Sequence, residues 1–397
     1  MEKNEETSLS VIWVNRIRDV RQDAWDALAV GLATPLLEWE WLNQMEASGS
    51  IAPENGWQPS HLTVWDGERL VGAAPLYIKS DSEGEFVFDH IWAEVAMKLG
   101  IRYYPRLVGM SPVTPVTGYR FLIAEGTDED RITRRMLDET DRFCREKKLG
   151  GCSFLFADPE WRRRLSQLGC ITWLHHGFVW ENPGFQCFDD YLSRFNANQR
   201  RNIRRERRAM ARQGISFRAF CGDEIPRHFI PLLYRFYERT NEQHGPWGCR
   251  YLNQKFFEGL YGHYRHRMVL IAAFRDSVPE PVGMSMLLHK GQQLLGRYWG
   301  CTVRADALHF NACYYQPIEW AIRHGVRFFN PGAGGEHKIR RGFGSFGCYS
   351  LHRFYDRRME LVMRAHIREV NRAEKNHIAH LNTLLPFSRK PDSGCWE

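Results

Sequence analysis

Two stretches of the chain read as apolar strands joined by polar turns, and both carry the same layout. In the first, Leu62 to Lys79 predicts a strand, a turn at Asp66-Gly67 and a second strand beginning Val71-Gly72. In the second, Val269 to Lys290 predicts a strand, a longer turn through Asp276 to Pro281 and a strand beginning Val282-Gly283. Lys79 and Lys290 each lie seven residues beyond the shared glycine. The first hairpin leads into a helix at Asp89 to Leu99, a strand near Leu107, an amphipathic helix from Asp128 to Lys148 and a strand at Cys152 to Phe156. The second leads into a strand at Gln293 to Gly300, a helix at His309 to His324 and a strand at Val326 to Asn330. Antiparallel strands that pass into a helix and a further strand predict mixed sheets flanked by helices, the α+β class.

A strand at Ile171 to Trp180, a charged helix after it and turn chemistry at Asn182-Pro183-Gly184 set the expected domain boundary near residue 182. The expected organisation is an N-terminal domain over 1–182, a C-terminal domain over 183–355, a terminal helix over 356–387 and a flexible tail over 388–397. Arg357 to Leu384 reads as one helix, with Leu361, Val362, Ala365, Ile367, Val370, Ile378 and Leu381 as its apolar face.

The chain's 397 residues, 43% of them hydrophobic, are enough for two packed domains. Met1 to Ser10 carries three Glu and no apolar core, and no later stretch approaches about 18 uninterrupted apolar residues, so a soluble cytoplasmic protein without a membrane span is expected. The ten cysteines are scattered from Cys144 to Cys395 with no C-x-x-C pair, which predicts free thiols and no metal site.

Net charge is +7, yet Arg194 to Arg212 alone holds eight Arg against one Glu, leaving 46 basic and 46 acidic residues elsewhere. A concentrated excess points to a defined anionic ligand. Asn196 to Gln213 has no Pro or internal Gly and is closed by Gly214, so it predicts a helix of about five turns. Arg200, Arg204, Arg207 and Arg208 are expected to share one face, with Ile203 and Met210 on the packed side. Guanidinium groups bind phosphate through two parallel hydrogen bonds, which makes Arg200, Arg204 and Arg208 candidate phosphate ligands.

A second informative stretch, FFNPGAGGEHKIRRGFGSF at Phe328 to Phe346, follows a short apolar strand. Its glycines, Gly334 and Gly335 among them, let backbone N–H groups approach a ligand, and Lys338 and Arg341 add positive charge beside them. Glu336 and His337 are candidate bases for removing a proton from an amine. Glu319 lies among apolar neighbours in the helix HFNACYYQPIEWAIRHG and needs a partner or a purpose, so it is a further site candidate. No G-x-S-x-G elbow or spaced triad is present, which favours direct transfer over a covalent intermediate.

RRNIRRERR, YLNQKFFEGL, RYWGC, HFNACYYQPIEWAI and GAGGEHKIRRGFG, in that order between Phe178 and Ser350, resemble the FemAB-like peptidoglycan biosynthesis/recognition family of predicted N-acyltransferases. SPVTPVTGYRFL at Ser111 to Leu122 resembles the family's first-half signature, so the likeness covers about nine-tenths of the chain. The resemblance implies two tandem GNAT-like domains, with donor or acceptor bound at splayed strands and in the cleft between domains. By analogy with related Fem ligases it implies an amine acceptor on a cell-wall precursor and an aminoacyl-tRNA donor. The chain lacks the long coiled-coil insertion that some Fem ligases use with transfer RNA, and also the glycine-rich pyrophosphate signature of ordinary acetyl-CoA enzymes. Acyl-CoA and aminoacyl-tRNA therefore both stand as donors, with no tightly bound cofactor expected. The competing readings are a non-catalytic module for a nucleotide-linked or wall-derived ligand, and an RNA-binding protein that uses the arginine helix.

Overall fold

The structure is a computed structural model that describes residues 9–243, 245, 248–276 and 278–388. Residues 389–397 of the expected tail lie outside the described residues. The chain forms two compact units, each assembled from three separate stretches: residues 1–175, 249–264 and 347–375 in the first, and 176–248, 265–346 and 376–397 in the second.

In the first unit the predicted hairpin is present: His61–Asp66 pairs antiparallel with Arg69–Ala74 inside a four-stranded sheet completed by Ser10–Val14 and Leu122–Ile123. A further set of strands runs in the order Trp57–Pro59, Leu76–Lys79, Arg106–Gly109, Gly151–Phe154 and residues 351–354. Arg106–Gly109 and Gly151–Phe154 are parallel, as their crossover through the helix Glu129–Glu146 requires. Asp128 caps that helix by accepting from the Arg131 N–H. Gly72 lets the helix lie close, because a Cβ there would stand 3.0 Å from Ile132 and Met136.

YLNQKFFEGL belongs to the first unit. Its helix, Gln254–His263, is capped by Asn253 and packs on Trp39–Ala47, with Phe256 edge-on to Trp41 and the Tyr264 hydroxyl donating to the Pro35 carbonyl at 2.7 Å. The long helix Arg357–Thr383 is formed as expected, and Val362, Ile367, Val370 and Leu381 of its expected apolar face are packed, but Leu361 is not. Met359, Met363 and Ile367 bury against Trp92, Ile101 and Phe354, whereas Leu361 is 57% exposed.

The second unit's sheet runs in the order Ile215–Cys221, Met268–Arg275, Gly283–Lys290, Gln293–Cys301, Phe328–Asn330 and residues 180–181. Its core joins Ile203 of the arginine helix, Tyr315, Ile318 and Ala321 of the predicted aromatic helix, and Phe329 and Phe343. One parallel pair interrupts the antiparallel order. Gln293, Leu294 and Leu295 face Phe328, Phe329 and Asn330, after which the two strands part at Gly296 and Pro331.

A buried cluster in the first unit gives a pH prediction. Asp89 accepts from Arg106 at 2.7 Å and from the Tyr103 and Tyr104 hydroxyls, while Glu85 is 3% exposed with one carboxylate oxygen unpartnered. Burial pushes the Glu85 carboxyl up to about 8, above its unfolded value. An acid raised in this way contributes stability that is complete below its unfolded pKa and lost as pH rises through about 8. Glu85→Gln is therefore expected to flatten the fall in melting temperature between the ordinary carboxylate range and about pH 8. Identical pH curves for the two proteins would contradict this.

Candidate functional site

The arginine helix forms over Ala197–Arg212, with the Asn196 side chain accepting from the Gln199 N–H and Gly214 closing the end at φ +65°. Its packed side is the expected one, but Arg200 and Arg207 do not share the outward face. Arg201, Arg204, Arg205, Arg208 and Arg212 occupy one exposed face spanning about 100° of helix azimuth. Ile203 and Met210 are buried on the opposite side. Arg200 and Arg207 stand at the border and are committed locally. Arg200 donates to the Phe195 carbonyl at 2.8 Å, and Arg207 pairs with Glu319 while lying 4.0 Å over the Phe188 ring.

Glu206, the helix's one acid, explains this setting. It points inward and takes both oxygens to Arg341, at 3.1 and 3.2 Å, and it also accepts from the Tyr315 hydroxyl. Arg341 is 4% exposed, lies 3.3 Å over the Phe310 ring and donates to the His337 carbonyl at 2.9 Å. Gln199 adds a 2.6 Å bond to the Arg340 carbonyl. The arginine helix and the glycine-rich loop are thus joined, but through a buried ion pair and not through the outward arginines.

The loop itself fills the space where the parallel strands part. Lys338, 1% exposed, donates to the carbonyls of Gly332 and Ala333 at 2.7 and 2.8 Å. With only those carbonyls as its hydrogen-bond acceptors among the described residues, burial lowers its ammonium to about 7, so both protonation states are populated at neutral pH. Gly334 has φ +99°, in the region that favours glycine. A Cβ on Gly335 would stand 2.5 Å from the His337 ring, so its absence lets the imidazole fold back.

That imidazole belongs to an aromatic cup. His337 Nε2 shares a 2.8 Å hydrogen bond with the Tyr314 hydroxyl, and His309 lies 5.3 Å from Trp299, 5.4 Å from Tyr314 and 6.1 Å from His337, ring centre to ring centre. Trp299 sits on one strand beyond the parting and His337 follows the other, so the cup bridges the divergence. Burial first, then the charges of His337, Arg341 and Lys338, push His309 down to about 4; burial and the same two cations lower His337. Both rings are neutral at pH 7. Burial raises the Tyr314 phenol, so it remains a hydroxyl. Beneath the cup, Asn311–Tyr315 forms one π-helical turn ahead of Pro317, which has no N–H to offer the Cys313 carbonyl.

Of the expected site residues, His337, Lys338, Arg341, Gly334 and Gly335 are brought together. Glu336 is exposed beside them. Glu319 is not enclosed by apolar groups as expected: its side chain is 31% exposed and bound to Arg207, because a carboxylate facing a guanidinium is stable at the rim. Arg204 and Arg208 point away from the loop. His309 and Trp299 were not singled out as site residues, and only the local density of aromatic and histidine residues at 297–315 signals the cup in sequence. Among the described residues no group of three His, Cys, Asp or Glu is placed to hold a metal ion, and no helix is long and apolar enough to cross a membrane.

Two such units, each with a parallel strand pair in an otherwise antiparallel arrangement and a helix crossing between the pair, define a tandem GNAT-type protein of the α+β class. The FemAB-like model, described as peptidoglycan biosynthesis/recognition, matches residues 16–389, and the chain belongs to that family. It is accordingly a transferase of the GNAT type. Among solved structures it is similar to FemX, at 11% identity and TM-score 0.55, covering 89% of this chain and 99% of that one. It is also similar to a tandem GNAT protein from the clavulanic acid biosynthesis pathway, at 14% identity and TM-score 0.45, covering 87% and 98%. A third similarity is to L-PGS from Bacillus licheniformis, at 11% identity and TM-score 0.49, covering 86% and 98%. A comparison with curated protein sequences gave no match.

Proposed function

We propose that the second unit moves an acyl or aminoacyl group from a phosphate-bearing donor directly to an amine, on a cell-wall precursor in the cytoplasm. The observation that carries this reading is the parting of the parallel strands at Gly296 and Pro331, spanned by the neutral His309–His337–Tyr314 cup. The donor, acyl-CoA or aminoacyl-tRNA, enters at the parting, with the exposed Arg340 beside its phosphates, while Lys338 stays buried on the Gly332 and Ala333 carbonyls. The amine nitrogen bonds to the acyl carbon, and the bond to the donor's sulfur or oxygen breaks. His337 takes the proton from the attacking nitrogen, and the Tyr314 hydroxyl returns one to the leaving atom. His337 suits the base role better than Glu319, whose carboxylate is held by Arg207.

A thermal-shift screen of the full chain against acetyl-CoA, a UDP-sugar, charged transfer RNA and uncharged transfer RNA tests the reading. A ligand of the native state at about 100 times its Kd adds about 2.7 kcal/mol of stability. We expect a rise with one of the two acyl donors. No rise with either, alongside a rise with the UDP-sugar alone, would instead favour the non-catalytic binding module.

A further inference from the structure

We infer that the outer face of the arginine helix is a docking surface for an anionic lipid bilayer, separate from the acyl-transfer site. Arg201, Arg204, Arg205, Arg208 and Arg212 are exposed on this face, and no ion pair holds any of them among the described residues. From Arg201 to Arg212 the file is about 17 Å long at 1.5 Å per residue. No acid lies on it, since Glu206 is turned inward to Arg341.

A row of like charges repels itself, so its retention on a rigid support calls for an anionic partner. The support is rigid. Ile203 and Met210 are buried beneath it, Glu206 and Gln199 tie it to the glycine loop, and Asn311 donates to the Glu206 carbonyl at 3.1 Å. The shape of the row favours a bilayer over nucleic acid. Its exposed residues besides arginine are Ala197, Asn198 and Ala211, with no aromatic ring for bases to stack upon. A straight, nearly planar file of permanent cations matches a plane of lipid phosphates, where each is attracted within a Debye length of the surface. With no exposed apolar side chain larger than alanine on this face, attachment is electrostatic and does not require insertion.

The test is co-sedimentation of the full chain with vesicles of phosphatidylcholine alone or with 30% phosphatidylglycerol, at 50 and 500 mM salt. The wild type is expected to bind only the anionic vesicles and to release at high salt. Arg201→Gln, Arg205→Gln and Arg208→Gln together should weaken that binding about a hundredfold, at roughly fivefold per charge, with melting temperature unchanged because the three side chains are exposed. Failure to bind anionic vesicles at 50 mM salt overturns the inference, as does binding that survives the triple substitution. Arginine-dependent capture of transfer RNA without vesicle binding also overturns it, in favour of an RNA surface. The acyl-transfer reading stands or falls separately, on the ligand screen above.

Discussion

Replacing Glu206 with alanine is expected to lower the unfolding free energy by about 3–5 kcal/mol, the cost of leaving a buried charge without its partner. Arg341 is 4% exposed and clamped 3.3 Å over Phe310, so its guanidinium cannot turn out to water when the carboxylate is removed. Tyr315 loses its acceptor at the same time. A shift in the urea midpoint with an unchanged m-value would register the loss as stability and not as altered compactness. Glu206→Met combined with Arg341→Met should recover much of it, because removing both charges leaves neither stranded. A loss below about 1 kcal/mol in the single variant would place this pair with ordinary surface ion pairs.

The second large effect concerns chemistry. His337→Ala is expected to reduce acyl transfer about 100- to 10,000-fold, the range for losing a positioned general base, while stability changes little because the side chain is exposed. Tyr314→Phe should reproduce part of that loss, and Glu336→Gln should leave the rate within a few-fold. The pH profile adds an independent reading. Burial and the Lys338 and Arg341 charges lower His337 below the ordinary histidine range, so the active neutral ring persists below pH 6.5 and the acidic limb of the rate profile falls there. A limb above pH 7, or full activity in His337→Ala, would assign the proton transfer to another group.

Local patterns were legible in the sequence. Apolar runs joined by turn residues became the hairpins His61–Asp66/Arg69–Ala74 and Met268–Arg275/Gly283–Lys290, and Asn196 and Gly214 marked the ends of the arginine helix. What the sequence did not disclose depends on partners far along the chain. Glu206 read as a minor offset to its arginine neighbours, but an ion pair 135 residues away turns it inward and so sends Arg204 and Arg208 outward. Leu361 fits an apolar stripe by spacing, yet Met359 and Met363, each two residues away and so about 160° round the helix, take the buried side. The attachment of residues 249–264 to the first unit rests on contacts such as Asn253 with the Ser48 carbonyl, 205 residues apart. His309 became part of the site only because two strands part and bring Trp299 and His337 to either side of it.

Hydrogen exchange of the full chain, with and without acetyl-CoA or aminoacylated transfer RNA, tests most directly whether the donor enters at the parted strands. The account predicts that whichever donor raises the melting temperature also slows exchange at residues 296–301 and 331–342. Protection by that donor confined to the first unit, with these two segments unchanged, would contradict it.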